Sequence, residues 1–355
     1  ERTWMELFDL MDKKNHEQLV FWSEPKFGYQ GIIAIHDTTL GPALGGTRFW
    51  NYTSQADAII DALRLARGMT YKAAITGLNL GGGKSVIIGN PRTTRREMIF
   101  RAHGRAVESL GGRYITAEDV GTSVEDMEYV HAETEHVVGI MGGSGDPSPV
   151  TAYGVYRGIK AGAMAKYGSD SLEGKHVLVQ GVGNVGYYLC ENLHQEGARL
   201  TVTDIDEERV RRVVEEFGAT PVDSNEIYAI DADIFSPCAL GAIVNDDTLK
   251  VLKVDVVGGG ANNQLAESRH GRELHERGIL YAPDYVVNAG GLINVYGELE
   301  DWTRERSLRK AGEIYHTMLA IFEKASEAGM PTYEAADHIA EERILNTRHL
   351  QRSWV

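Results

Sequence analysis

The most constraining feature of this sequence is a glycine motif, Gly181-Val-Gly-Asn-Val-Gly186. The apolar run HVLVQ precedes it directly, and the helical pattern NVGYYLCENLHQEG follows. The first glycine permits a tight turn, the second lets the main chain approach a pyrophosphate, and the third lets helix and strand pack closely. The next apolar run, RLTVTD, ends in Asp204, about twenty residues further on, where the dinucleotide fingerprint places an acid. This context predicts a Rossmann-type dinucleotide-binding unit.

The acid at the end of the second strand indicates which dinucleotide is bound. The Asp204 carboxylate can accept hydrogen bonds from both ribose hydroxyls of NAD, and it would repel the 2′-phosphate of NADP. No arginine follows it at once. The segment SPCALGA follows a later strand, where a small side chain beside the cofactor is a better interpretation of its cysteine than a nucleophile. We therefore expect NAD to contact Gly181, Val182, Gly183, Asn184, Val185, Gly186, Asp204, Ile205, Cys238 and Ala239.

Strand and helix patterns alternate along most of the chain, which predicts an α/β fold. The second half alternates strictly, and its strands are almost wholly apolar, as parallel strands covered on both faces are. A run rich in Gly, Pro and Ser at 139–149, GIMGGSGDPSP, is typical of a domain linker. The pattern predicts two domains that divide at this run, and the second, residues 139–330, would hold NAD.

The composition limits the partners of the protein. The 355 residues carry a formal charge of −15, which argues against nucleic acid or an anionic membrane surface. No run of about 18 apolar residues occurs, and the N-terminal stretch lacks the hydrophobic core of a signal peptide. Two cysteines are too few for a disulfide scaffold, and their spacing suggests no metal site. We expect a cytoplasmic protein without metal.

The stretch GLNLGGGKSVI, residues 77–87, places Lys84 after three glycines. A phosphate-binding loop requires a glycine five positions before Gly83, but Leu78 occupies that position, and the pattern after Lys84 is a strand rather than a helix. A phosphate site is therefore rejected. Two readings remain, a solvated lysine and a partly desolvated amine whose pKa is lowered enough to serve as a base.

Two further ionisable residues favour the second reading. Lys72 lies twelve residues upstream in GMTYK, and Asp119 follows the strand pattern RYITAE. Groups at strand or helix ends of one α/β domain converge on its rim, where sites usually lie. The three glycines would let the main chain pass close to another segment. We expect Lys72, Lys84 and Asp119 to share one site.

Several longer motifs resemble one family of enzymes. They are AIHDTTLGPALGGTR (34–48), GMTYK (68–72), GLNLGGGKSVIIG (77–89), GRYITAEDVGT (112–122), DPSPVTAYGVYRG (146–158), VQGVGNV (179–185) and YAPDYVVNAGG (281–291). Together they resemble the Glu/Leu/Phe/Val amino-acid dehydrogenase superfamily, and within it the leucine dehydrogenases. The resemblance covers essentially the whole chain.

The resemblance implies a reaction and a role for each matching residue. An L-amino acid, water and NAD⁺ would give a 2-oxo acid, ammonium and NADH. Lys72 resembles the lysine that binds the substrate carboxylate, Lys84 the lysine that activates water, and Asp119 the acid that moves the amine proton. Residues implied to line the nicotinamide side are Arg48, Thr151, Asn262 and Asn288, with Asn263 as an alternative to its neighbour.

The resemblance also bears on which amino acid is used. Glutamate enzymes place a lysine before Gly-Gly-x-Arg, whereas this chain has Leu44 before Gly45 and Gly46, and an apolar wall would leave a side-chain carboxylate unpaired. Positions implied to line the side-chain pocket are Ala117, Leu292 and Val295. Ala117 is leucine-like, while Leu292 and Tyr296 resemble aromatic-preferring relatives. Branched-chain substrates are favoured, with phenylalanine or tryptophan as the alternative.

A different class of function also remains open. The same fold could serve a non-catalytic, NAD-responsive regulator, which would tolerate loss of Lys84 and Asp119. The chain retains both residues. The resemblance further implies a homo-oligomer, an octamer or a dimer, acting on a small-molecule amino acid or 2-oxo acid and ammonium. It also implies that a cleft separates the two domains, and that residues 1–138 with about 331–355 serve substrate binding and oligomerisation.

Overall fold

The chain forms two compact α/β units. A computed structural model describes residues 6–143 and 145–352. One unit comprises the described residues up to Gly145 and those from Ala340 onward, and the other runs from Asp146 to Ile339. This confirms the predicted two-domain α/β class. The functional roles and bounds assigned to the two domains stay predictions, and residues 1–5, Ser144 and 353–355 in those bounds lie outside the described residues.

The first unit is built on a mixed sheet. Within its described residues the strand order is β1-β2-β4-β3-β5. β2 pairs in antiparallel orientation with both β1 and β4, whereas β3 pairs in parallel with both β4 and β5. The strands are β1 (Gln18–Glu24), β2 (Tyr29–Asp37), β3 (Ala43–Trp50), β4 (Gly81–Ile88) and β5 (Tyr114–Glu118).

Helices cover this sheet, and the longest of the first four is α2 (Gln55–Ile75). Its N-cap is Ser54, whose hydroxyl accepts a hydrogen bond from the Asp57 amide. Its apolar residues recur at helical spacing and pack against β2 and β4, with Ala62 and Ala66 fully buried. The other helices here are α1 (Leu7–Asp12), α3 (Arg96–Glu108) and α4 (Val124–His131).

Sequence pattern does not predict all of this sheet. It gives no strand at β1 or β3, and it starts the fourth strand only after Lys84. In the structure β4 begins at Gly81, because its glycines pair with β2 on one side and β3 on the other. Glycine is a poor strand former by itself, so pairing with two neighbours decides the conformation. Lys84 therefore lies inside a strand rather than before one.

The second unit contains a parallel sheet of the Rossmann type. In the part of this unit that is described, the strand order is β11-β10-β9-β6-β7-β8, and every neighbouring pair is parallel. Read from β8, this is the doubly wound order with β6 at the switch point. The strands are β6 (His176–Gln180), β7 (Arg199–Thr203), β8 (Thr220–Pro221), β9 (Ile234–Pro237), β10 (Val256–Val257) and β11 (Leu280–Tyr281).

Helices cover both faces of the second sheet. The long α5 (Ser148–Tyr167) ends at Gly168 in the left-handed conformation. The last helix, α14 (Thr332–Arg352), begins in the second unit and ends in the first. No helix among the described residues is long and apolar enough to cross a membrane. The remaining helices are α6 (Asn184–Gln195), α7 (Glu207–Phe217), α8 (Asp246–Val251), α9 (Ser268–Glu276), α10 (Asp284–Val287), α11 (Gly290–Leu299), α12 (Arg304–Gly312) and α13 (Ile314–Ala328).

A buried histidine links β2 to α2 in the first unit. His36 Nε2 donates to the carbonyl oxygen of Lys14 at 2.8 Å, so Nδ1 accepts from the Thr70 hydroxyl at 2.8 Å. Burial, together with the neighbouring His16, lowers the pKa of His36 to about 4. The ring is therefore neutral in the folded protein near pH 7.

This histidine makes the fold acid-sensitive. Because the folded pKa lies below the unfolded one, its contribution to stability is complete above about pH 6.5 and is lost as the pH falls toward 4. Between pH 7 and pH 5 the loss is about 2 kcal/mol. We expect His36→Gln to be less stable than the parent at pH 7 and to lose less stability than the parent on acidification. Thermal unfolding of both proteins at the two pH values measures this, and equal losses would contradict it.

Candidate active site

One face of the first sheet gathers the residues that the sequence analysis singles out. Side chains alternate along a strand, so Lys84 shares the α2-facing side of β4 with Gly82 and Val86. The pairing register places Leu44 opposite Gly82 and Arg48 opposite Val86. On the other side of β3, Ala117 lies opposite Gly46. The opposite face of the sheet carries Thr47, Ser85 and Thr116, whose hydroxyls bond to one another in the core.

The amine of Lys84 is buried against a carboxylate. Lys84 is 5% exposed, and its Nζ donates to Asp119 Oδ2 at 2.6 Å. Asp119 follows β5, and its own amide donates to the Thr122 hydroxyl at 2.9 Å. Two of the three ionisable residues that the sequence analysis assigned to one site are therefore in direct contact.

Burial and charge shift both pKa values of this pair. Burial lowers the pKa of the Lys84 amine, and the positive Arg48 lowers it further, which together outweigh the opposing effect of Asp119. Burial alone would raise the pKa of the Asp119 carboxyl, but the charges of Lys84 and Arg48 hold it below its usual range. The pair thus combines an amine that gives up its proton readily with a carboxylate that stays ionised.

The structure adds a second carboxylate that sequence pattern does not identify. Arg48 Nε donates to Asp119 Oδ2 at 3.1 Å, and its Nη1 donates to Asp61 Oδ2 at 2.9 Å. Asp61 lies on α2 and also accepts from the Tyr52 hydroxyl at 2.8 Å and from Arg64 at 2.8 Å. In the sequence, Asp57, Asp61 and Arg64 look like an ordinary charged helix face, so no local signal separates Asp61 from its neighbours.

Glycines create the space in which this site forms. A Cβ added at Gly82 would lie 2.1 Å from the amide nitrogen of Thr70, so β4 and α2 approach closely only because Gly82 has no side chain. A Cβ at Gly45 would lie 1.7 Å from the Gly83 carbonyl oxygen, and one at Gly46 would lie 2.8 Å from the Asp119 Cβ. The expected close passage of the triglycine segment is confirmed.

The remaining substrate candidates of this unit lie on or beside the same face. Leu44 and Ala117 are 3% and 9% exposed, and both are apolar. Lys72 is half-buried in the last turn of α2, the helix that packs on this face. The role predicted for each of these residues stays a prediction.

The glycine motif of the second unit has the geometry of a dinucleotide loop. Gly181 adopts φ +91°, and a Cβ at Gly186 would lie 2.0 Å from the Gly181 carbonyl oxygen. The Val182 amide donates to Asp204 Oδ2 at 2.8 Å, while Oδ1 accepts from the Asp206 amide at 3.0 Å. The helix α6 begins at Asn184, so its first amide groups point toward the loop.

Other candidates lie at the carboxyl ends of neighbouring strands of the same sheet. Cys238 and Ala239 follow β9, and a Cβ at Gly181 would lie 2.6 Å from the Ala239 Cβ. The Cys238 amide donates to the Gln180 carbonyl oxygen at 2.7 Å, which ties this segment to the end of β6. Ile205, after Asp204, is 97% exposed. In a doubly wound sheet this edge is where ligands bind.

Two asparagines of this edge are bonded to each other. Asn288 Nδ2 donates to Asn262 Oδ1 at 2.7 Å, and Asn263 adopts the left-handed φ of +51°. Asn288 is buried, and its Oδ1 has no hydrogen-bond partner. A buried acceptor without a partner in the protein is available to a donor from water or from a ligand.

The rest of the predicted second-unit set lies around the start of α11. A Cβ at Gly291 would lie 3.4 Å from Thr151 Oγ1, so Thr151 adjoins the turn that leads into this helix. Leu292 is buried and Val295 half-buried. Tyr296, one residue further, packs edge-on against Trp302 at 5.2 Å between ring centroids.

An arginine beside the glycine loop is a further residue that sequence pattern does not identify. The loop residues Val182, Gly183 and Asn184 line a cavity of about 140 Å³ together with Arg209 and Arg212 of α7. A Cβ at Gly183 would lie 3.4 Å from Arg209 Nη1. In the sequence, Arg209 belongs to a charged helix with salt bridges at i, i+3 spacing, including its own to Asp206, and it looks solvated.

Within the described residues, no cluster of three or more His, Cys, Asp or Glu side chains could hold a metal ion.

Comparison with known proteins gives matches over nearly the whole chain. A family model described as "Glu/Leu/Phe/Val dehydrogenase, dimerisation domain" matches residues 16–136, and one described as "Glutamate/Leucine/Phenylalanine/Valine dehydrogenase" matches residues 142–208 and 200–352. The chain is 60% identical over 354 residues to a leucine dehydrogenase of Bacillus subtilis, which covers 99% of this chain and 97% of that protein.

Relatives with another substrate in their names are less similar. An L-tryptophan dehydrogenase of Nostoc punctiforme is 48% identical over 345 residues, 97% of this chain and 98% of that protein. A crystal structure of L-tryptophan dehydrogenase from Nostoc punctiforme matches with a TM-score of 0.89 at 46% identity, over 96% of this chain and 99% of that one. A glutamate dehydrogenase from Peptoniphilus asaccharolyticus, at 21% identity and a TM-score of 0.78 over 98% of this chain and 94% of that one, shares the fold.

The close approach at Gly82 gives a test of how this site is built. In Gly82→Ala the new methyl group would overlap the main chain of α2, and we expect the protein to lose about 3 kcal/mol of stability or more, or to fail to fold. Gly68→Ala, in α2 where a Cβ meets nothing within 4 Å, is the matched control and should be neutral or gain about 0.5–1 kcal/mol. Thermal unfolding compares the three proteins. A Gly82→Ala protein as stable as Gly68→Ala would show that the approach is not tight.

Proposed function

The chain belongs to the Glu/Leu/Phe/Val dehydrogenase family, and from this premise we propose that it catalyses the NAD-dependent, reversible oxidative deamination of hydrophobic L-amino acids. The substrates are branched-chain: leucine, valine and isoleucine. The products are the 2-oxo acid, ammonium and NADH. In the reverse direction the same residues aminate the 2-oxo acid.

The observation that carries this proposal is the buried contact between Lys84 and Asp119. An ammonium group taken out of water is costly, and a merely structural lysine usually keeps its amine in solvent. Here the amine is 5% exposed, its pKa is lowered, and a carboxylate that stays ionised lies 2.6 Å away. Such a pair suits proton transfer near neutral pH. A non-catalytic NAD-responsive regulator would have no use for it.

Each residue of the pair has a defined task in the proposed reaction. Asp119 takes a proton from the substrate ammonium, so that the nitrogen lone pair can form an imine. Lys84, in its neutral form, takes a proton from water as the water attacks the imine carbon. Asp119 then returns a proton to the nitrogen, and as the C–N bond breaks and ammonia leaves, the hydroxyl proton passes back to Asp119 and the carbonyl of the 2-oxo acid forms. Lys72 supplies a fixed positive charge for the substrate carboxylate, which orients the Cα.

The dinucleotide site fits NAD on several counts. When bound, NAD⁺ accepts the hydride from the substrate Cα. Gly181, Gly183 and Gly186 leave the loop bare for the pyrophosphate, and Asp204 lies where it can accept the ribose hydroxyls. Arg209 adds positive charge beside Gly183. The unpartnered, buried Oδ1 of Asn288 suits the carboxamide N–H of a nicotinamide ring.

The remaining cofactor candidates support this site in different ways. Arg48 was expected at the nicotinamide, and its Nε and Nη1 already bond to Asp119 and Asp61. Its role toward the substrate nitrogen is therefore electrostatic. The others shape the edge of the second sheet: Thr151, Val182, Asn184, Val185, Ile205, Cys238, Ala239, Asn262 and Asn263.

An apolar wall selects the substrate side chain. Leu44 occupies the position that would carry a cation in a glutamate enzyme, and it is buried, so a side-chain carboxylate would find no partner there. Ala117 is the other apolar candidate of the first unit, and Leu292 and Val295 are the apolar candidates of the second unit. Tyr296 packs on Trp302, which is the feature that favours phenylalanine or tryptophan as the second candidate class.

We also propose a cytoplasmic homo-oligomer, an octamer or a dimer. The description of the model that matches residues 16–136 as a dimerisation domain supports the assembly, and the two free cysteines suit a reducing compartment. Light scattering of the purified protein gives the number of subunits.

A substrate panel tests the function directly. We expect NADH to form with L-leucine, L-valine and L-isoleucine at kcat/KM values at least tenfold above those for L-phenylalanine and L-tryptophan, because the chain is 60% identical to a leucine dehydrogenase and 48% identical to an L-tryptophan dehydrogenase. L-Glutamate should give no turnover. Faster reaction with the aromatic substrates would establish the second candidate class. No turnover with any of the five hydrophobic amino acids, in protein that is folded and binds NAD, would refute the proposal.

Replacement of the buried lysine tests the mechanism. In Lys84→Ala we expect kcat to fall about 10²–10⁴-fold, because the base that activates water is gone. The affinity for NAD, measured by fluorescence titration, should change by less than about threefold, since the nucleotide residues are in the other unit. Lys253→Ala, a lysine distant in sequence from the site, serves as the control. A Lys84→Ala protein that keeps more than a tenth of the parent kcat would rule out this role.

A further inference from the structure

A continuous chain of opposite charges leads from the surface of α2 to the buried amine. It runs through Arg64, Asp61, Arg48, Asp119 and Lys84, and each neighbouring pair lies within 3.1 Å between donor and acceptor. The side chain at the outer end, Arg64, is 53% exposed, the three side chains between the ends are 16–24% exposed, and Lys84 at the inner end is 7% exposed. Such a chain is more than a surface ion pair, because its inner members are largely removed from solvent.

Arg48 holds the central position of this chain and needs two anions. Its Nε and Nη1 point to different carboxylates, Asp119 and Asp61, and the guanidinium is planar, so both contacts fix one orientation of the group. If Asp61 were neutral, Arg48 would have one anion instead of two. The orientation of its guanidinium would then no longer be fixed relative to Asp119 Oδ2, the oxygen that also accepts from Lys84.

Asp61 is itself held firmly in place. Its Oδ2 accepts from both Arg48 and the Tyr52 hydroxyl, and its Oδ1 accepts from Arg64. The side chain is 16% exposed. Burial raises the pKa of the Asp61 carboxyl, but its three hydrogen-bond donors outweigh this effect and keep the pKa below its usual value. The negative charge is therefore present throughout the neutral range.

We propose that Asp61 is a positioning residue for the deamination: it anchors Arg48 and thereby sets the geometry and charge at the Asp119–Lys84 pair. This inference rests on the proposed function, since it assigns Asp61 a role in that reaction. Asp61 acts through Arg48 and does not touch the substrate. Tyr52, which bonds to the same oxygen of Asp61, supports the same arrangement.

Asp61→Asn tests the proposal, with Asp57→Asn as the matched control. Both variants remove one carboxylate from α2, but Asp57 is exposed and bonds to Ser54 at the helix start. We expect Asp61→Asn to lower kcat about tenfold or more with a smaller change in KM. The acidic limb of its kcat/KM–pH profile should move to lower pH by roughly half a unit or more, because a negative charge that favours protonated Lys84 is lost.

Two further variants separate positioning from simple structural support. Asp61→Glu keeps the charge and should restore the position of the acidic limb. Tyr52→Phe removes one donor but no charge, so it should reduce kcat slightly without moving the limb. An Asp61→Asn enzyme that melts at a lower temperature, yet keeps the parent pH profile and kcat, would show a structural role alone and overturn the proposal.

A measurement without turnover keeps this test distinct from that of the function. Trace labelling with acetic anhydride over a range of pH, quantified by peptide mass spectrometry, reports the titration of Lys84 in any folded variant. We expect labelling of Lys84 to begin at lower pH in Asp61→Asn than in the parent or in Asp57→Asn. Identical titration in all three would overturn the proposal even if the enzyme is active. A shifted titration in a protein without dehydrogenase activity would uphold the coupling and refute the function.

Discussion

The contact between the Lys84 amine and the Asp119 carboxylate is the constraint around which the first unit is arranged. A buried charge must be paired or neutralised, and here two cations and two anions alternate: Lys84, Asp119, Arg48 and Asp61. Their formal charges sum to zero, so the cluster can lie beneath the surface without a large uncompensated charge. Burial is the main reason that the pKa of the Lys84 amine is lowered, and the positive charge of Arg48 lowers it further, against the opposing effect of Asp119.

This arrangement depends on residues without side chains as much as on charged ones. The strand β4 carries three glycines before Lys84, and α2, Asp37 and Tyr114 each approach the space that a side chain would fill. Glycine weakens a strand, so the sheet must recover stability elsewhere. It does so through pairing of β4 on both edges and through a buried hydroxyl network on the opposite face, centred on Thr47. The face that carries Lys84 therefore has few side chains along β4, and the opposite face is held by hydrogen bonds between buried side chains.

The sequence predicts the second unit better than the first, for a physical reason. In the second unit the first two strands are short apolar runs, and a glycine motif lies between them, so local pattern and fold agree; β6, α6 and β7 occur where they are predicted. In the first unit, β3 contains Gly45, Gly46 and Arg48, and only its two neighbours make it a strand. Asp61 and Arg209 were missed because their spacing on a helix is that of solvated charges. Only tertiary contacts distinguish them from solvated residues, and a short stretch of sequence does not reveal those contacts.

The selectivity of the proposed site depends on how much free energy each kind of substrate side chain would lose on binding. A charged side chain would lose much, because Leu44 and Ala117 offer no partner to a carboxylate that has lost its water. Discrimination among apolar side chains is weak, since one methylene changes the binding free energy by only about 1–3 kcal/mol. Under the proposed function, a small change of volume at a side chain that contacts the substrate is therefore enough to move preference between aliphatic and aromatic amino acids. Relatives of this chain accordingly carry names that differ in the amino acid.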